Sequence, residues 1–130
     1  MNTRRDVNAA HTILLVEDDF QLLAVLSSFL EDQGYSVLKS HSGQEAIDRV
    51  DLGEDFDLLL TDVVMPGKVG GFELANYIRG VQPDVPIIYM SGYAVGPGDT
   101  ECTVDAPLLQ KPTTTADLTA AISKALGEAA

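Results

Sequence analysis

Thr12-Ile13-Leu14-Leu15-Val16-Glu17-Asp18-Asp19 passes from an unbroken β-prone apolar run straight into three acids. The length and flanks of that run predict a strand buried on both faces. Such a strand needs helices on either side of its sheet, and the rest of the chain offers them. Phe20, Leu23, Leu26, Phe29 and Leu30 recur at helical spacing, and Gly34 stops that helix. Tyr35 to Lys39 reads as a second strand. Ser42-Gly43-Gln44-Glu45 is a capping-box pattern that opens a helix through Val50. Asp57 to Thr61 is a third, strongly apolar strand. Gly71 to Arg79 is helical, with Phe72, Ala75 and Ile78 on one face. Pro86 to Met90 and Ala106 to Gln110 supply the fourth and fifth strands. Thr114-Thr115-Ala116-Asp117 starts a last helix carrying Leu118, Ile122 and Leu126. Between the last two strands, Gly96, Pro97 and Gly98 leave 94–105 only a short, mobile helix. Strands alternating with helices predict a doubly wound parallel sheet with right-handed crossovers. In such a sheet the ligand site lies beyond the carboxyl ends of the strands.

The chain has 130 residues, 45% apolar and 22% charged, enough for one domain with a full core. Residues 1–10 are polar and read as a flexible tail; 11–130 form the domain. Eight Lys and Arg against 20 Asp and Glu give a net charge of −12. That balance excludes direct nucleic-acid binding and attachment to an anionic membrane. It fits a metal ion or a basic partner. The single cysteine, Cys102, rules out an internal disulfide, and no stretch approaches the length of a membrane span. Nothing resembles a signal peptide. A cytoplasmic protein is expected.

The residues that end the strands carry chemistry. Glu17, Asp18 and Asp19 follow the first strand, Asp62 the third, Ser91 the fourth and Lys111 the fifth. Taken singly, each has a bland reading. Asp19 fits a helix cap, Asp62 a turn, and Ser91-Gly92 and Lys111-Pro112 loops. Together, in this order, they form a set. Like-charged carboxylates about 4 Å apart cost on the order of 4 kcal/mol per pair at an effective dielectric near 20. Such a cluster calls for a cation, and oxygen donors of this kind suit Mg²⁺. Lys111 adds a fixed positive charge and Ser91 a hydroxyl. The combination suits an anionic oxygen group, above all phosphoryl, with a carboxylate able to act as nucleophile.

These residues resemble the receiver domain of bacterial two-component response regulators. Leu14-Leu15-Val16-Glu17-Asp18-Asp19 resembles the acidic-pair motif. Thr61-Asp62-Val63-Val64-Met65-Pro66 resembles the phosphoacceptor motif, Tyr89-Met90-Ser91-Gly92-Tyr93 the hydroxyl motif, and Leu109-Gln110-Lys111-Pro112 the lysine motif. The resemblance spans residues 11–127. It implies a flavodoxin-like (βα)₅ fold with strand order 2-1-3-4-5. It implies that Asp62 accepts a phosphoryl group from a sensor histidine kinase or a histidine phosphotransfer protein. Asp18, Asp62 and the Val64 carbonyl would ligate Mg²⁺, with Glu17 acting through a water. Lys111 would pair with Asp62, and Ser91 would bond the phosphoryl group. It also implies a cis Lys111–Pro112 bond. A monomer or weak dimer is expected, with no enzyme activity beyond self-dephosphorylation, which should be slow because Val64 and Tyr93 border the approach of the attacking water without a carboxylate or amide to orient it.

The chain departs from the family pattern in four places. Leu108 stands at a common aromatic switch position and reads as core instead. The 94–105 segment is poor in helix formers, Pro66-Gly67-Lys68-Val69-Gly70-Gly71 is a long loop, and Thr113 replaces a common aromatic residue. No output domain is expected, which leaves a stand-alone receiver or the receiver of a hybrid kinase; the leading Met1 favours the former. Two other classes fit less well. An aspartate-nucleophile phosphatase would carry a second Asp where Val64 stands. A flavodoxin would need a phosphate loop where Glu17, Asp18 and Asp19 would repel one.

Overall fold

A computed structural model describes residues 11–92 and 106–128. The expected N-terminal tail, the 94–105 helix, Tyr93 and Cys102 lie outside the described residues. The elements run β1 (Thr12–Val16), α1 (Phe20–Asp32), β2 (Ser36–Ser40), α2 (Gly43–Asp51), β3 (Leu58–Asp62), α3 (Gly71–Val81), β4 (Ile87–Ser91), β5 (Leu108–Gln110) and α4 (Thr115–Leu126). The five strands are parallel in the order β2-β1-β3-β4-β5, as the fold reading predicts.

Alternation along β1 and β3 builds two cores. Leu14, Val16 and Leu59 enter an apolar cluster with Ala46 of α2 and Leu74, Ala75 and Ile78 of α3. Ile13, Leu15, Leu58 and Leu60 enter the other, with Leu23 and Leu30 of α1 and Leu118 and Ile122 of α4. Both faces of the central strands are therefore dry, which is why their sequences read as unbroken apolar runs. Each fully buried Leu or Ile contributes roughly 1.5–3 kcal/mol. Among the described residues, no helix is long and apolar enough to cross a membrane.

Several boundaries move by a residue or two, each for a hydrogen-bonding reason. Tyr35 is not in β2: its N–H donates to Leu30 O at the end of α1, and the ladder begins when Ser36 N–H donates to His11 O. Asp62 and Ser91 do not follow their strands but end them; Val63 N–H reaches Met90 O and Lys111 N–H reaches Ser91 O. Strand β5 begins at Leu108 rather than Ala106, because Pro107 has no N–H and contributes only its carbonyl, to Tyr89. Leu108 is not a core residue: β5 is a sheet edge, and the residue is 37% exposed.

The N-cap residues act as read, without the reciprocal half of a capping box. Asp19 accepts from Gln21 and Leu22 N–H, Ser42 from Glu45 N–H, and Thr114 from Asp117 N–H. Glu45 turns back to His41 N–H rather than to the cap residue itself. Gly34 takes φ +100°, a left-handed conformation that ends α1 at low cost. The Lys111–Pro112 bond is cis.

Candidate functional site

The sheet order places β1 beside β3, so the acids that end these two strands meet. Carboxylate oxygens of Glu17, Asp18 and Asp62 lie within 4.8 Å of one another. Glu17 and Asp62 are buried, Asp18 is half-buried, and Asp19 is exposed. Asp18, Asp62, Val64, Met65, Pro66, Gly92 and Lys111 line a cleft of about 470 Å³ at the carboxyl end of the sheet. Ser91, just before Gly92, is buried at the end of β4. Of the residues read at strand ends, Glu17, Asp18, Asp62 and Lys111 are gathered in one place, and Asp19 turns away to cap α1.

Lys111 reaches across from β5. Its Nζ lies 2.7 Å from Glu17 Oε1 and 3.1 Å from Asp62 Oδ2, so it bridges two acids rather than pairing with Asp62 alone. Glu17 is further held by Asp19 N–H, which donates to its Oε2 at 3.2 Å. Burial, reinforced by the negative charge of Glu17, pushes the Asp62 carboxyl up to about 7, against the opposing pull of Lys111. For Lys111, burial alone would lower the pKa; its contacts with Glu17 and Asp62 outweigh that and raise it.

The donor set fits a divalent cation. With Asp62 ionised, three carboxylates and one ammonium leave two negative charges in a partly dry cleft. All available donors are hard oxygens, the preference of Mg²⁺. The 58% exposure of Val64 puts that residue at the cleft mouth.

Two structural contributors escaped the sequence reading. Thr61 Oγ1 donates to the Asp62 carbonyl at 2.9 Å. A Cβ on Gly71 would lie 2.2 Å from that same carbonyl oxygen, so α3 starts against the backbone of the acid. The adjacent Gly70-Gly71 pair was the signal available for the second. The Glu17–Lys111 contact, across 94 residues, had none.

Residues 13–123 match the response regulator receiver domain family, and the chain belongs to it. Among its relatives is the response regulator receiver protein CpdR of Brucella abortus, 39% identical over 117 residues, covering 88% of this chain and 95% of CpdR. The sensor kinase CckA of the same organism is 37% identical over 90 residues, 68% of this chain but 9% of the kinase. A response regulator receiver protein from Sinorhizobium medicae superposes with a TM-score of 0.84 at 35% identity, covering 91% of this chain and 95% of that one. Phosphoryl acceptance and Mg²⁺ binding at an acidic pocket are general in this family, and the acidic cluster is present here.

Proposed function

We propose that the protein is a cytoplasmic receiver that accepts a phosphoryl group on Asp62 from a sensor histidine kinase or a histidine phosphotransfer protein. The observation that carries this reading is the buried Asp62 carboxylate, opening to a cleft and held at 3.1 Å by Lys111. An oxygen of Asp62 attacks phosphorus; the new O–P bond forms as the bond to the donor nitrogen breaks. Lys111 neutralises charge on the acid and then on the phosphoryl oxygens, and the Ser91 hydroxyl donates to the transferred group. Asp18, Asp62 and the Val64 carbonyl would hold Mg²⁺, with Glu17 acting through a water. Bound there, the ion offsets negative charge on the incoming group. Val64 presents an apolar side chain at the cleft mouth that offers no hydrogen bond to an attacking water, so self-dephosphorylation is slow.

Incubation with acetyl phosphate and Mg²⁺ tests the assignment. Wild type should gain one acid-labile phosphoryl group and Asp62→Asn none. Undiminished labelling of the variant would place the acceptor elsewhere. The match within CckA favours one second reading, a relay receiver of a hybrid kinase. Phosphotransfer profiling against the histidine kinases and phosphotransfer proteins of the source genome separates the two.

A further inference from the structure

The loop that follows Asp62 is fixed at two places. At its base, Gly71 N–H donates to Val63 O at 2.8 Å, tying the ends of 63–71 together. On its far side, Val69 rests on the first residue of α2. A Cβ on Gly43 would lie 2.4 Å from Val69 O, 2.6 Å from its Cγ1 and 2.8 Å from its Cβ. Side chains do not occur at such distances, so the loop and helix meet at a spacing that only glycine permits. Both partners are otherwise held. Val69 is half-buried against the cluster that contains Val16 and Ala46. The first turn of α2 is fastened by Ser42 Oγ, which accepts Glu45 N–H at 3.0 Å, and by Glu45 Oε1, which accepts His41 N–H at 2.8 Å. The N-terminal part of the same loop, Val64, Met65 and Pro66, lines the acidic cleft.

We propose that Gly43 is a positioning residue of the acceptor site: the first turn of α2 braces the 63–71 loop through Val69 and so sets where the Val64 peptide faces the cleft. The part of this that concerns metal rests on the reading of the Val64 carbonyl as a Mg²⁺ ligand. A ligand peptide displaced by a few tenths of an ångström binds a small, geometrically demanding ion poorly. Supporting residues that do not touch a metal commonly change its affinity 10–100-fold.

Amide NMR of the full chain tests the brace, first without metal and then through a Mg²⁺ titration. In Gly43→Ala, metal-free amide shifts should move across 63–66, and Mg²⁺ affinity should fall about tenfold. Val69→Ala alone removes contact without a clash; it should move the same amides and weaken Mg²⁺ binding in the same direction. That variant decides the matter if Gly43→Ala does not fold. Unchanged loop amides and unchanged affinity in the folded variant would overturn the brace. Absence of Mg²⁺ binding by wild type would overturn the ligand reading alone. The metal-free shifts would then still decide the brace.

Discussion

Asp18 and Asp19 are neighbours that the backbone sends in opposite directions. Asp18 joins the acidic cluster, while Asp19 spends its Oδ1 on the N–H groups of Gln21 and Leu22. Asp18→Ala should weaken Mg²⁺ binding about tenfold or more and block labelling by acetyl phosphate. Asp19→Ala should cost about 1 kcal/mol of stability and leave metal affinity nearly intact. Metal titrations and thermal melts of the two variants check this, and the reverse order would refute it. Asp62 carries a second consequence. Its folded pKa of about 7 lies above the ordinary 3.8, so between those values the native state holds more protons than the unfolded one. Without metal, stability from this group should be present below about pH 4 and be lost as pH rises to about 7. Asp62→Asn mimics the protonated acid. It should melt above wild type at pH 8, with the gap closing toward pH 4; a gap independent of pH would contradict the shift.

Helix α3 contains two glycines with opposite roles. Gly71 meets the Asp62 carbonyl at a distance that leaves no room for a methyl group, whereas a Cβ at Gly80 would meet nothing within 4 Å. Gly71→Ala should therefore destabilise the protein by about 2–3 kcal/mol through overpacking and disturb the acceptor strand. Gly80→Ala should stabilise it by roughly 0.5–1 kcal/mol, by removing backbone freedom from the unfolded chain. Denaturant titrations of both variants check the pair; equal effects would deny the contrast. At this scale the type of every described element was legible, because apolar periodicity and the Ser42 and Thr114 caps are local signals. The boundaries were less so. Tyr35 looks β-prone, yet its N–H is taken by the end of α1, a choice made by three-dimensional proximity.

Across the whole molecule, burial is graded from the centre of the sheet to its edges. Residues 13–16 of β1 and all of β3 and β4 are buried, whereas β5 is short and its Leu108 and Gln110 are exposed. Amide hydrogens of β1, β3 and β4 should exchange only through global unfolding, and those of β5 by smaller local openings several kcal/mol below it. Hydrogen exchange measured by NMR checks this, and uniform protection across the sheet would refute it. The acidic cleft sits where the well-protected strands end, so its acids are anchored in the most stable part of the fold.

Read alone, the sequence determined the order of strands and helices, the parallel sheet and the candidate site set of Glu17, Asp18, Asp62, Ser91 and Lys111. These follow from hydrophobic pattern and from residue types at strand ends, both of which are local properties of the chain. Tertiary structure decided that Lys111 bridges Glu17 as well as Asp62, and that Leu108 lies at the edge rather than in the core. It also decided that Gly43 and Gly71 mark close approaches around the acceptor loop. Each of those depends on how near two distant segments come to one another. That distance is set by packing of the whole sheet and its helices, and no local pattern of residues encodes it.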